Sequence, residues 1–181
     1  MTAGGAHRRP PCVLLAEEVW GSTLHAMRSL DSAGVPVLVA SVGDGSKVYR
    51  RSRHCTAAID LPVEDTASAG ARLRSWIDSQ VPDPEQPVVV VPLSDRLVEL
   101  LHRERHRFGE RYRLAIPAPD VVEALLDKER AFDLAARAGL DVPTWVAVGR
   151  EEDVARMDAV PLPAIVRPTS WATTGTEYFK V

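Results

Sequence analysis

The stretch Pro87-Val88-Val89-Val90-Val91-Pro92-Leu93-Ser94-Asp95, residues 87–95, sets four β-branched residues in a row immediately before a helix start. Branching at Cβ crowds a helical turn and suits a pleated surface, so Val88 to Val91 reads as a strand. The lack of polar alternation makes it a strand covered on both faces, as in the centre of a parallel sheet. Ser94 or Asp95 can cap the helix that follows, whose Leu97, Leu100 and Leu101 recur at helical spacing. Outward from this unit the same alternation repeats. Val13 to Ala16 is a second uninterrupted apolar run, and Ser22 is placed to cap a helix over 23–33 with Leu24, Met27 and Leu30 on one side. Gly34 stops that helix, and 35–42 reads as the next buried strand. A polar loop over 43–53 leads to a weaker strand at 57–61 and a helix at 66–79 carrying Leu73, Trp76 and Ile77. Strand, helix and strand in about thirty residues is the size of one parallel crossover. The expected fold is therefore α/β, a Rossmann-like open and mostly parallel sheet with helices on both faces.

The chain has 181 residues, room for one full domain of roughly 100–150 residues and part of a second. Its net charge of −3 argues against a large nucleic-acid footprint, which needs a surplus of Lys and Arg. Lys47, Arg50, Arg51 and Arg53 cluster around Tyr49, and two readings stay open for them, a solvated loop or a phosphate or partner contact. Cys12 and Cys55 fit neither a disulfide framework nor a zinc spacing, and a reducing cytoplasm is the expected compartment. No run approaches the ~20 apolar residues that cross a bilayer, so no membrane partner is expected. Residues 1–10 read as a flexible tail and 11–117 as the first domain.

Ile116-Pro117-Ala118-Pro119 breaks the alternation and marks the expected boundary, because paired prolines favour stiff, extended links. Beyond it, 118–181 reads as the first α+β part of another domain. Helices are expected over 120–125, 128–138 and 151–157, and strands at 142–148, 164–168 and 176–181. A chain that stops on a strand leaves an edge of the kind domains normally cover, so a truncated domain is expected.

Two basic residues stand out in this second part. Lys128 opens a helix, where the dipole disfavours a cation unless an anion is bound beside it; a phosphate contact and a surface lysine both stay open. Arg167 ends the apolar run Ala164 to Val166, and a guanidinium at a strand end can grip two phosphate oxygens or make a plain salt bridge.

Asp127-Lys128, then Gly139-Leu140-Asp141-Val142-Pro143, then Ile165-Val166-Arg167-Pro168 resemble, in order and spacing, the ATP-grasp superfamily. Ser52-Arg53-His54-Cys55 and Pro92-Leu93-Ser94-Asp95 resemble elements of the pre-ATP-grasp domain of carboxylate–amine ligases. The resemblance implies that Lys128 and Arg167 hold ATP phosphates. It further implies that Thr169, Ser170, Thr173, Thr174 and Gly175 form a phosphate-covering loop, with Lys180 behind it. That loop has one glycine where the family pattern has more, so its hydroxyls would act as donors. Arg53 is implied as a substrate contact or an interdomain ion pair, and Ser94 and Asp95 as substrate-binding. The implied reaction joins a small carboxylate to an amine through an acyl phosphate, with ATP and Mg2+ as cofactors and the metal ligands outside these residues. The chain by itself is expected to be inactive. Two rivals remain, a non-catalytic Rossmann-like binding module and a subunit that homodimerises through its first domain. Glu17 and Glu18 after the first strand oppose a dinucleotide loop, which needs glycines there.

Overall fold

The computed structural model describes residues 9–17, 21–62 and 65–166. The chain forms two compact units, Met1–Pro117 and Ala118–Val181. The first is built on a sheet of five parallel strands: β1 (Cys12–Glu17), β2 (Val37–Val42), β3 (Ala57–Leu61), β4 (Val88–Pro92) and β5 (Tyr112–Leu114), in the order β3-β2-β1-β4-β5. The centre is β1, with Leu14 opposite Val39 on one side and Val91 on the other.

Helices α1 (Gly21–Ser32), α2 (Ser46–Tyr49), α3 (Thr66–Gln80) and α4 (Asp95–Arg103) supply the covering layers. Successive strand residues face opposite ways, so each strand feeds two cores. Val13 and Leu15 of β1 join Leu73 and Ile77 of α3 and Leu97 and Leu101 of α4. Cys12, Leu14 and Ala16 join Met27 of α1 and Tyr49 of α2. The fold expected from the sequence is the fold observed, an α/β parallel sheet with helices on both faces.

Several local expectations change. The first helix begins at Gly21, so Ser22 lies within its first turn and does not cap it. Gly34, at φ +72°, ends it as expected. The second strand starts at Val37 because Pro36 has no N–H; its carbonyl instead accepts from Cys12 N at 2.9 Å. The polar loop 43–53 contains α2, whose Tyr49 is fully buried while its Arg50 Nε donates to the Ala58 carbonyl at 2.9 Å. The strand β5 was not expected, since three residues with an exposed Arg113 in the middle make no periodic signal.

The second unit contains α5 (Pro119–Leu126) and α6 (Lys128–Arg137). The expected strand at 142–148 is irregular, and 151–159 is a 3-10 helix. A strand takes its hydrogen bonds from a neighbour, and among the described residues of this unit no strand forms. Residues 164–166 are irregular as well, and the expected strand at 176–181 lies outside the described residues.

Close packing of α3 against the end of α4 requires Gly70, because a Cβ there would stand 2.6 Å from Glu104 Cγ and 2.9 Å from its Cβ. Gly70→Val should lower the unfolding free energy by ~1–3 kcal/mol through overpacking. Gly109→Ala, where a Cβ meets nothing within 4 Å, should change it by less than ~0.5 kcal/mol. Urea titrations of both variants check this. Tyr112 gives a pH signature: burial, then its hydrogen bond to Asp78 and that carboxylate's charge, push the phenol upward. The folded state therefore favours the protonated ring, and its stabilisation is complete below the ordinary tyrosine value near ~10 and lost as pH rises beyond it. Between pH 8 and pH 11 the wild type should lose more stability than Tyr112→Phe.

Candidate functional site

Two parallel strands that turn away in opposite directions leave a crevice at their C-terminal ends. In this sheet the reversal falls between β1, which leads to β2, and β4, which leads to β5. Ser94 and Asp95 stand at that edge, brought together by the turn after β4, and the Leu93 N–H donates to the Leu15 carbonyl at 3.1 Å to hold the turn against β1. Ser94 is the cap of α4, its hydroxyl accepting from Leu97 N at 3.3 Å. Asp95 lies in the first turn of that helix and is exposed, where the dipole favours its charge. This settles the choice of cap in favour of Ser94.

At the end of β1, Glu17 Oε1 is buried with no hydrogen-bond partner among the described residues, and Arg96 Nε lies 4.0 Å away. Sequence reasoning used Glu17 only against a dinucleotide loop and passed over Arg96. The available signal was a carboxylate ending an apolar run at a strand's C-terminus. Beside Arg96 a groove of about 110 Å3 runs between α3 and α4, lined by Val42, Pro62, Thr66, Leu100 and Arg103. The edge thus combines carboxylates with guanidinium donors and can orient a small polar ligand from both charge signs.

Arg53 is not part of this edge. It lies in the turn that feeds the start of β3, where Thr56 N donates to the carbonyl of Val37, the first residue of β2. Six-residue strands separate that end of the sheet from Ser94 and Asp95, roughly 20 Å at ~3.3 Å per residue. Burial pushes the Cys12 thiol up to about 11 and raises Cys55, against the pull of a hydrogen bond to Ala57 and the charge of Arg50, the opposite of the lowering that activates a thiol.

In the second unit, Lys128 is the first residue of α6, and Asp127 caps the helix by accepting from Glu129 N at 2.9 Å and Arg130 N at 3.1 Å. The amides that would cradle an anion are therefore taken by Asp127, and Asp127 with Glu129 offsets the cation at the helix start. What Lys128 offers a phosphate is its ammonium charge. Behind it, Phe132 packs on Trp145 with ring centroids 5.5 Å apart, and Gly139, at φ +77°, ends the helix. Arg167, Thr169, Ser170, Thr173, Thr174, Gly175 and Lys180 lie outside the described residues. Among the described residues no group of three or more His, Cys, Asp or Glu side chains could hold a metal ion. No described helix is long and apolar enough to cross a membrane.

No protein-family model matches the sequence, and neither does any curated protein. Solved structures do match. The biotin carboxylase domain of Hydrogenobacter thermophilus 2-oxoglutarate carboxylase, a dimer in complex with MgADP, ADP and bicarbonate, aligns at TM-score 0.55 and 16% identity over 91% of this chain and 36% of its own. The biotin carboxylase subunit of a pyruvate carboxylase aligns at 0.49 and 15% over 85% and 34%, and an L-amino acid ligase from Bacillus licheniformis at 0.49 and 15% over 75% and 32%. The chain spans about a third of the length of each. The first likeness shows the fold alone, that of part of a biotin carboxylase domain. The Rossmann-like parallel sheet is consistent with the domain type that the sequence motifs resemble.

Ser94→Ala should remove the α4 cap and destabilise the first unit by ~0.5–2 kcal/mol, and Ser94→Asp should restore most of it. Thermal unfolding followed by circular dichroism reads both.

Proposed function

We propose that this chain is the amino-terminal part of an ATP-dependent ligase that joins a small carboxylate to an amine or related nucleophile through an acyl phosphate. The observation that carries this reading is the overlap of nearly the whole chain with part of a biotin carboxylase domain solved with MgADP and bicarbonate. Residues 11–117 serve as the pre-ATP-grasp domain and 118–181 as the opening of the nucleotide-binding lobe. Lys128 and Arg167 hold the triphosphate, with Thr169, Ser170, Thr173, Thr174, Gly175 and Lys180 closing over it. Proteins accelerate phosphoryl transfer chiefly by positioning and by neutralising charge, and these residues supply the cationic share.

When bound, Mg2+ would help neutralise the negative charge of the ATP phosphates. Its ligands are expected in the rest of the protein, and nothing in this reading depends on their geometry. Ser94 and Asp95, at the C-terminal edge of the sheet, orient the small-molecule substrate, with Arg96 of α4, 4.0 Å from Glu17, adding positive charge beside them. A cytoplasmic location fits the two thiols, and homodimerisation fits the dimeric state of the first structural neighbour.

The purified 181-residue chain should release no phosphate from ATP in the presence of carboxylate and amine substrates. In the whole protein, isothermal titration of MgATP should show that Lys128→Ala and Arg167→Ala each weaken binding about 10- to 100-fold, the loss of a charge-assisted hydrogen bond worth ~1.5–3 kcal/mol. Unchanged affinity in both variants would overturn the assignment.

A further inference from the structure

Glu17 is the last residue of β1, and Val42 stands beside it at the end of β2. Successive residues of β1 face opposite ways, so Glu17 shares with Val13 and Leu15 the face that α3 and α4 cover. Val42 belongs to the same core and also lines the groove between those helices, with Pro62, Ala69, Leu97 and Leu100 as the other apolar walls. Arg96 ties the groove to the carboxylate, since it lines the one and lies 4.0 Å from Oε1 of the other. That separation gives attraction and no hydrogen bond. Oε1 is thus buried without a hydrogen-bond partner among the described residues, while the Glu17 side chain as a whole is 26% exposed and can be reached from solvent. A buried acceptor left unpaired costs stability, and a charged one costs more. Glu99 and Arg103 on the rim of the groove pair with one another.

We propose that Glu17 is a substrate-binding residue, its Oε1 accepting from the ammonium of an α-amino acid whose small apolar side chain lies in the groove. This rests on the ligase function proposed above and names its carboxylate substrate. An ammonium supplies the donor that Oε1 lacks, and a charge-assisted hydrogen bond is the stronger kind. Because Val42 both stands beside Glu17 and walls the groove, the amine and the apolar group must be attached close together, as they are at an α-carbon. A space of about 110 Å3 admits a side chain of roughly three or four heavy atoms, at ~30 Å3 for each water-sized group. Glu17, Arg96, Glu99 and Arg103 bring two charges of each sign, which suits a zwitterion with no net charge. An ammonium held on Glu17 has no lone pair, so that amine is not the attacking nucleophile and the amino acid enters the reaction through its carboxylate.

Titration of the 181-residue chain, followed by amide chemical shifts, tests this with L-alanine, L-valine and L-leucine against their des-amino counterparts propionate, 3-methylbutanoate and 4-methylpentanoate. At least one amino acid should shift Val42, Leu97 and Leu100 and bind about 10- to 100-fold more tightly than its counterpart, the size of one charge-assisted hydrogen bond. Glu17→Gln should remove most of that preference and leave the des-amino acid unaffected. Without ligand, Glu17→Leu should unfold at the same urea concentration as the wild type or a higher one, because the acceptor it removes has no hydrogen bond to lose. Equal binding of the paired probes, no shift from any amino acid, or a lower urea midpoint for Glu17→Leu would refute the role of Glu17. The phosphate side is read separately in the whole protein. MgATP affinity lost in Lys128→Ala and Arg167→Ala with no amino-acid preference removes this site alone, whereas amino-acid preference with MgATP affinity unchanged removes the ligase and leaves Glu17 as a binding residue.

Discussion

The structure of the first unit depends on a parallel sheet being covered on both faces. Every residue of β1 from Cys12 to Ala16 is buried, and Val13, Leu15 and Ala16 are wholly so. Such a strand has no solvent side, which removes polar residues from its interior and obliges the chain to lay helices on each face. The five strands and four helices follow from that demand, with α3 and α4 filling one layer and α1 and α2 the other. Even the odd detail of Tyr49, a large ring carried by a helix of four residues and fully buried, belongs to it. That short helix covers the outer part of the sheet toward β3.

Because polar groups are driven out of the strands, they collect at the strand ends, and the two ends of the sheet carry different chemistry. At the C-terminal edge stand Glu17, Ser94, Asp95 and Arg96, at the reversal of strand order. At the opposite edge stand Asp31, Arg53 and His54. The sequence motifs placed Arg53 and Ser94 in one list because both resemble elements of the same domain. The strands hold them apart, and a shared resemblance says nothing of which edge a loop reaches.

The second unit follows a different rule. Its helices are specified locally: Asp127 caps α6 with two amide contacts, and Gly139 ends it. Val122 alone is fully buried among its described residues, while Leu140, Leu162 and Ile165 are largely exposed. The apolar runs at 142–148 and 164–166 have strand composition without strand structure, since composition does not provide the neighbour from which a strand takes its hydrogen bonds.

How much was legible in the amino-acid order divides along the same line. A cap at Ser94 or Asp95, the glycine stops at Gly34 and Gly139, the four-valine strand and the α/β alternation could be read directly, because each rests on propensities and contacts within a few residues. The candidate site was half legible: Ser94 and Asp95 stood out by their turn, while Glu17 and Arg96 did not, their pairing joining positions far apart in the chain. Tertiary structure alone decided the strand order β3-β2-β1-β4-β5, the pairing of the unrecognised β5 with β4 and the placing of Arg53 beside His54 at the far edge. Those outcomes depend on which distant segments meet, and a parallel sheet takes all its hydrogen bonds from such meetings.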